Sequence, residues 1–174
     1  MCAEPEERQT RSTGCHSAAT GTGEFTPEER ETLLELARKS IRAALEHRAI
    51  DLSPPSAHLA KPRGVFTTLY LHGSLRGCVG NVVPSASVYQ TVAETACSAA
   101  FEDSRFASVN EEEAPDLQIS LSILSPLFPI KPEEIEVGRH GLLISHAGRR
   151  GLLLPQVPVE HGWDRLTFLE QTCR

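Results

Sequence analysis

Apolar residues recur along the chain with the period of a helix in some segments and the period of a strand in others. After Thr26 and Pro27, which can cap and begin a helix, Leu33, Ala37 and Ile41 recur at helical spacing. They form one apolar stripe over about five turns. The pattern therefore predicts a long amphipathic first helix.

A β-hairpin is predicted next along the chain. Residues 64–71 are rich in β-branched and aromatic side chains, and residues 74–81 form a second strand-like run. The intervening pair His72-Gly73 suits a tight two-residue turn.

The turn length predicts the register of this hairpin. A two-residue turn places Cys78 opposite Thr67. It also places Arg76 opposite Leu69, so that all four side chains share one face. The other face is predicted to be core, and it carries Phe66, Tyr70, Leu75 and Val79.

Further helices and strands alternate through the second half of the chain. A helix is predicted from Ser85 to about Phe101, and residues 117–123 alternate as a half-buried strand. Another hairpin is predicted over residues 141–154, and a final helix begins near Asp164. Because hairpins replace strand-helix-strand crossovers, the order favours an α+β fold with a largely antiparallel sheet flanked by helices.

Composition divides the chain at about residue 25. Residues 1–24 are polar and have no hydrophobic period, and such a segment cannot bury enough surface to order itself, so a disordered tail is predicted. The chain has 174 residues and 40% hydrophobic content, which leaves residues 25–174 enough material for one domain with a sizeable core.

Charge and cysteine content disfavour several functional classes. The 23 acidic and 17 basic residues give a net charge of −6, which disfavours binding to nucleic acid and to anionic membranes. No segment is apolar enough to cross a bilayer or to direct secretion, which predicts a cytoplasmic location. The five cysteines form no C-x-x-C pair, and the seven histidines have no metal-ligand spacing. Free thiols are therefore expected, and no metal or other cofactor is expected.

Four motifs, in order along the chain, resemble those of one known family. Residues 75–80 read LRGCVG, residues 99–106 read AAFEDSRF, and residues 137–142 read VGRHGL. The last is LLPQVPVEHGWD at residues 153–164. Together they make the chain, over roughly residues 25–174, similar to the AMMECR domain family, called protein A of the AmmeMemoRadiSam system.

The resemblance implies a fold with a larger and a smaller subdomain around a cleft that contains the signature strand. It implies no established reaction. Family genes often neighbour those of a Memo-type protein and a radical S-adenosylmethionine (radical SAM) enzyme, so these two are the implied partners. Family chains generally continue past the helix that ends here at residues 172–174, with a loop and a strand that complete the sheet. The resemblance therefore implies C-terminal truncation and an exposed sheet edge.

Cys78 is the residue best suited to chemistry. A thiolate is the reactive form of cysteine, and a neighbouring cation such as Arg76 would favour that form. The alternative interpretation is a small buried apolar residue. Gly77 and Gly80 leave room for a ligand or for close packing, and Thr67 adds a hydroxyl to the predicted face.

Two arginines and a histidine complete the candidate site. Arg76 can bind a carboxylate or phosphate, or it can be held by an internal acid such as Glu102 or Asp103. Arg105 is a further candidate binding residue, and it can instead pair with Asp103 as an anchor. His140 is the candidate catalytic base, although no spacing places it near the thiol. The alternative for His140 is a turn histidine bonded to the backbone.

Two functions compete on this basis. The first is a thiol-dependent enzyme in which Cys78 acts on an anionic small molecule, together with the Memo-type and radical SAM partners. The second is a non-catalytic module that holds a metabolite or a protein partner of that system. Sequence-specific binding of nucleic acid is disfavoured by the acidic balance.

Overall fold

The structure, a computed structural model, describes the backbone of residues 12–16 and all atoms of residues 24–146 and 148–174. The chain divides into two compact units. The first unit contains residues 18–125, and the second contains residues 1–17 together with residues 126–174.

Seven strands and four α-helices make up the described part of the chain. In chain order they are β1 (Ser12–His16), α1 (Pro27–Leu45), β2 (Val65–Leu71), β3 (Ser74–Asn81), α2 (Val88–Phe101), β4 (Leu117–Ile123), β5 (Phe128–Pro129), β6 (His140–His146), β7 (Arg149–Leu153), α3 (Gln156–Glu160) and α4 (Arg165–Thr172). Two 3₁₀ turns lie at residues 114–116 and 132–134.

Helix α1 begins where the sequence predicts. The Thr26 side chain accepts a hydrogen bond from the Glu29 N–H at 3.2 Å, and the Glu29 carboxylate accepts one from the Thr26 N–H at 3.0 Å. This reciprocal capping satisfies two backbone donors that have no partner within the helix. The apolar stripe is buried, and it includes Leu33, Leu36, Ala37 and Ile41.

Helix α2 begins later than predicted, at Val88 rather than Ser85. The side chain of Ser87 caps it by accepting a hydrogen bond from the Gln90 N–H at 3.2 Å. Its buried face is made of small residues, among them Ala96 and Ala99, which allows the helix to lie close to the sheet.

The first unit contains a three-stranded antiparallel sheet in the order β3-β2-β4. Helices α1 and α2 share one hydrophobic core with this sheet, in which Val65 and Leu69 of β2 are fully buried. Strand β4 has the predicted alternation, because Leu117 is buried whereas Gln118 and Ser120 are exposed.

The register of the β2-β3 hairpin differs from the prediction. The two-residue turn is present, with positive φ at both His72 and Gly73. However, Tyr70 pairs with Leu75 while Leu69 pairs with Gly77, so a bulge leaves one extra residue in β3. The core face of the hairpin carries Val65, Thr67 and Leu69 of β2, so the prediction that Phe66 and Tyr70 face the core is wrong. The prediction that Val79 faces the core is confirmed.

The second unit contains an antiparallel sheet in the order β5-β1-β6-β7. The predicted hairpin is present as β6 and β7, with Leu142 opposite Leu153. The core of this unit includes Ile130, Ile135, Leu142 and Phe168. Helix α4 begins as predicted, with the Asp164 side chain accepting from the Thr167 N–H at 2.8 Å.

Three elements of the second unit were not predicted from the sequence: β1, β5 and α3. Strand β1 lies within residues 1–24, which the composition assigns to a disordered tail, so that assignment is corrected for residues 12–16. Pairing with β5 and β6 accounts for the difference, because it supplies backbone partners that composition does not reveal. The rest of that segment before Glu24 lies outside the described residues.

The predicted fold class, α+β with antiparallel sheets and flanking helices, is confirmed. The limits of the domain, and the larger and smaller subdomains around a cleft, stay predictions. Among the residues that the structure describes, no helix has both the length and the apolar character needed to cross a bilayer.

Candidate functional site

One face of the three-stranded sheet is turned away from the helices and carries Cys78. Thr67 and Leu69 of β2 are fully buried in the core shared with the helices, so Thr68 between them lies on the opposite face. Cys78 is directly across from Thr68 and shares that face. We call this surface the thiol face, and it comprises Phe66, Thr68, Cys78, Gly80, Ser120 and Ser122.

The Cys78 side chain is half-buried, and its backbone is held on both sides. Its Sγ lies 3.3 Å from the Thr68 Oγ1, a distance at which either group can donate. The Cys78 N–H donates to the Asp103 Oδ2 at 2.8 Å, and the Cys78 carbonyl accepts from the Arg105 Nη2 at 3.2 Å. The sulfur therefore projects from a fixed point of the strand.

Asp103 and Arg105 form the pair that the sequence suggested. Arg105 donates from Nε at 2.9 Å and from Nη2 at 2.7 Å to the two carboxylate oxygens. The Asp103 side chain is only 6% exposed. The Arg105 guanidinium, assisted by the Cys78 N–H, holds the pKa of Asp103 well below its usual range. Together the two side chains bond the backbone N–H and carbonyl of Cys78, which on a central strand would pair with a neighbouring strand.

Arg76, the bulged residue of β3, is held by the protein itself. Its Nε and Nη2 donate to the two Glu113 carboxylate oxygens at 3.1 and 2.9 Å. Its Nη1 and Nη2 also donate to the carbonyls of Ala107 and Ser108 at 2.7 and 3.2 Å. The bonds from Arg76 lower the pKa of Glu113. The internal acid is therefore Glu113, not Glu102 or Asp103 as the sequence suggested.

The two signature glycines allow close packing. A Cβ at Gly77 would lie 2.1 Å from the Ala99 carbonyl oxygen of α2, and one at Gly80 would lie 2.2 Å from the Phe66 ring. No side chain fits at either position without movement of its neighbours. Of the two roles left open by the sequence, the geometry favours packing over ligand access.

Thr67 does not lie beside Cys78, contrary to the predicted register. It is fully buried, and its Oγ1 lies 2.8 Å from the Thr95 Oγ1 of α2. Thr95 in turn donates to the Thr91 carbonyl at 2.8 Å. Thr68, which was not a candidate, takes the place predicted for Thr67. Because Thr67 and Thr68 are adjacent, the sequence could have suggested that Thr68, rather than Thr67, lies beside Cys78.

His140, the candidate base, belongs to the second unit and is buried at the start of β6. Its Nδ1 accepts a hydrogen bond from the Glu136 backbone N–H at 3.1 Å. A backbone N–H donates only to an unprotonated ring nitrogen, so the neutral imidazole has its proton on Nε2. This contact corresponds to the alternative interpretation, a turn histidine bonded to the backbone.

The structure thus places Arg76, Gly77, Cys78 and Gly80 on β3, and Arg105 bonds to the same strand through the Cys78 carbonyl. It adds two residues that the sequence analysis missed, Thr68 and Glu113. Within the described ranges, no group of three or more His, Cys, Asp or Glu side chains is arranged to hold a metal ion. Burial, and then the nearby Glu102, raise the pKa of the Cys97 thiol on α2.

These features define a class: α+β proteins in which a glycine-flanked thiol lies on an antiparallel strand fixed by charged side chains. The chain belongs to the AMMECR1 family, whose model matches residues 34–174.

Similar proteins come from archaea and bacteria. The chain is 42% identical over 160 residues to protein MK0488 of Methanopyrus kandleri, covering 86% of this chain and 77% of that protein. It is 38% identical over 152 residues to a protein of Aquifex aeolicus, covering 81% and 77%. It resembles the crystal structure of the uncharacterised protein PH0010 from Pyrococcus horikoshii, with a TM-score of 0.73 and 37% identity, covering 82% and 77%.

Proposed function

We propose that this AMMECR1-domain protein is a small-molecule enzyme in which Cys78 is the reactive thiol. The observation that carries the proposal is the position of the Cys78 sulfur. It is half-buried on the face of the sheet opposite the helices, and the Thr68 hydroxyl lies 3.3 Å away. A partly accessible thiol with a hydrogen-bond donor beside it is a suitable nucleophile.

Thr68 is the group that supports the thiolate. Its hydroxyl can donate to the sulfur when the sulfur is ionised, and a hydrogen bond to the charged form favours that form. Ser120 lies on the other side of Thr68 in the sheet, on the same face, and adds a second hydroxyl to the thiol face. A substrate on this face would therefore meet a nucleophile and polar groups on adjacent strands.

Arg105 replaces Arg76 as the cation for an anionic substrate. Arg76 is neutralised by Glu113, and its side chain is only 13% exposed. The Arg105 side chain is 57% exposed, and its Nη1 has no recorded partner within the described residues. Nη1 is thus the guanidinium nitrogen that can donate to a carboxylate or phosphate near the thiol.

Alkylation of the thiol tests the proposal directly. Two chains are compared, one that retains Cys78 alone and one that retains Cys97 alone, with serine at the other cysteines. Cys78 is expected to react with iodoacetamide faster than a free cysteine in a short peptide at neutral pH. Thr68→Val is expected to slow the reaction, and Cys97 is expected to react slowly because burial raises its pKa. Cys78 reacting no faster than the free cysteine would refute the enzyme proposal.

A non-catalytic module is the second candidate, and one observation favours it. Arg76, Asp103 and Arg105 all make structural hydrogen bonds around β3, and within the described residues Thr68 is the recorded hydrogen-bond partner of the Cys78 sulfur. On this proposal the thiol face holds a metabolite or a protein without reacting. Cys78→Ser separates the two, because it would preserve binding by a module and abolish turnover by an enzyme.

The family resemblance supplies the proposed partners, a Memo-type protein and a radical SAM protein. Affinity purification of this chain with both candidates from the same genome tests the association. Co-purification that persists with Cys78→Ser would support the binding module, and co-elution with neither candidate would count against both partner proposals.

A further inference from the structure

Arg105 has one guanidinium nitrogen to offer to a ligand. A guanidinium carries five N–H groups, one on Nε and two on each Nη. The N–H of Nε and those of Nη2 are in use, because both nitrogens bond the Asp103 carboxylate and Nη2 also bonds the Cys78 carbonyl. Nη1 has no recorded partner within the described residues, and the side chain is 57% exposed. An incoming anion therefore meets a single nitrogen rather than a two-nitrogen fork.

The guanidinium of Arg105 is held in a fixed orientation. Its partner Asp103 has a side chain that is only 6% exposed, so the ion pair is anchored in the protein. The central carbon of the guanidinium also lies 5.4 Å from the centre of the Phe106 ring. An aromatic face attracts a cation placed over it. An anion bonded to Nη1 would therefore occupy a defined position relative to β3.

The charges around this nitrogen favour a ligand of low negative charge. Asp103 already balances the charge of Arg105, and Glu113 balances that of Arg76 in the same way. Helix α2 ends at Phe101, shortly before Asp103, and the carboxyl end of a helix has a partial negative charge. A phosphate group has three acceptor oxygens and close to two negative charges, so it needs several donors. One nitrogen is sufficient for one oxygen of a carboxylate.

The free nitrogen lies close to the sulfur. Nη2 bonds the carbonyl of Cys78, and Sγ belongs to the same residue, so only a few bond lengths separate the guanidinium from the thiol. The Asp103 carboxylate, and after it the negative charge of an ionised Cys78 thiol, raise the pKa of Arg105. A molecule that bonds Nη1 through a carboxylate and also meets the sulfur is therefore short.

The thiol face itself suits a neutral ligand body. Its residues carry no charge of their own. Thr68 lies between Cys78 and Ser120 across the strands, so a thiol and two hydroxyls form a row. Beside this row, the Phe66 ring lies against Gly80. A ligand on this surface can thus place one charge on Arg105 and its uncharged part on the sheet.

From these observations we propose that Arg105 selects a short monocarboxylic acid as the substrate of Cys78, with the electrophilic carbon next to the carboxylate. One carboxylate oxygen accepts from Nη1, and the adjoining carbon lies against the sulfur. This inference rests on the proposed function, because it names the class of substrate for the same thiol. Arg105 then determines specificity, by favouring a single carboxylate over a neutral molecule and over a phosphate.

Two alkylating reagents of nearly equal size, iodoacetate and iodoacetamide, test the selection by charge. In both reactions the thiol proton goes to solvent, the sulfur bonds the CH₂ carbon, and iodide leaves with the electrons of the broken C–I bond. The chain that retains Cys78 alone is used, and each rate is divided by that of the same reagent with cysteine in a short uncharged peptide. After this normalisation, iodoacetate is expected to react at least about threefold faster than iodoacetamide.

Matched variants show whether Arg105 is responsible. Arg105→Met removes the cation and is expected to bring the two normalised rates to within a factor of about 1.5 of each other. A general loosening of β3 would change both rates together, so it would leave their ratio unaffected. Arg48→Met is the control, because Arg48 lies just after α1 and pairs with Glu46. It is expected to keep the preference for iodoacetate, whereas about 1 M sodium chloride is expected to weaken that preference.

Unreactive anions test the class of ligand. Propionate is expected to slow the reaction of Cys78 with iodoacetamide. Phosphate at the same ionic strength is expected to need at least about tenfold higher concentration for the same protection. Neither anion is expected to protect Cys78 in the Arg105→Met chain, because the binding nitrogen is then missing.

Three outcomes would overturn this inference and leave the proposed function intact. The first is fast reaction of Cys78 with both reagents and no preference for iodoacetate. The second is a preference that persists in Arg105→Met, which would assign the selection to another group. The third is better protection by phosphate than by propionate. Slow reaction of Cys78 with both reagents would instead refute the proposed function, and this inference with it.

Discussion

Substitution of Gly77 by alanine tests the packing that fixes the signature strand. A Cβ at this position would lie 2.1 Å from the Ala99 carbonyl oxygen, whereas ordinary contacts begin at 3.4 Å. The obstacle is backbone of α2, so the helix and β3 would have to separate by roughly 1 Å. Overpacking of this kind costs about 1–3 kcal/mol.

The expected result of Gly77→Ala is a lower unfolding temperature. In a chain of this size a loss of 1 kcal/mol lowers Tm by about 2–4 °C, so a cost of about 1–3 kcal/mol is expected to lower Tm by about 2–12 °C. Thermal and urea unfolding followed by circular dichroism measure it. Ser74→Ala is the matched control, because Ser74 is exposed on the same strand, and its effect is expected to stay within about 0.5 kcal/mol.

A comparison with Gly80 tests whether the obstacle is backbone or side chain. At Gly80 the added Cβ would meet the Phe66 ring, which can be removed by substitution. The cost of Gly80→Ala should therefore shrink in a Phe66→Ala background, with a coupling of about 0.5–3 kcal/mol. The cost of Gly77→Ala should be the same in both backgrounds. Gly77→Ala with unchanged stability would refute the packing of α2 against β3.

Three further predictions concern charge and thiol chemistry. Arg76→Met leaves Glu113 partly buried without its cation, and is expected to cost about 1–3 kcal/mol in urea unfolding, with part recovered when Glu113→Gln is added. Asp103 has a pKa lowered by Arg105 in the folded state, so its contribution is present above about pH 4 and lost as pH falls; Asp103→Asn should flatten the decline of stability below that pH. Cys97, whose pKa is raised by burial, should be alkylated faster in urea than in the native protein, as mass spectrometry of modified peptides would show.

Features decided by neighbouring residues could be predicted from the sequence. The capping box of α1 involves Thr26 and Glu29, three positions apart, and it forms as predicted. The hairpin turn needs positive φ at two adjacent residues, which His72-Gly73 provides. The alternation of β4 follows from a sheet with one face on the core.

Features decided by distant residues could not be predicted. The sequence offers many acidic residues as possible partners for Arg76. Its actual partner, Glu113, is 37 positions away, on a segment whose path depends on α2. In β2 both faces carry large apolar side chains, so Phe66 and Tyr70 read as core as readily as Val65 and Leu69. The pattern of apolar residues therefore could not show which face of β2 packs against the core.

The bulge has a physical explanation that joins the register to the packing of α2. Only a residue without a side chain can lie against the Ala99 carbonyl, and the bulge at Arg76 places Gly77 there. Without the extra residue, the register would turn Cys78 or Arg76 toward the helix instead. The glycine and the bulge together therefore decide that the thiol lies on the face away from the helices.

The backbone requirement of an edge strand explains the position of the proposed reactive thiol. Every edge strand has N–H and carbonyl groups that need partners. At β3 these groups are satisfied by Asp103 and Arg105, and the consequence is a thiol held at a fixed position with an exposed guanidinium beside it. The β3 edge is therefore suited to holding one side chain for chemistry.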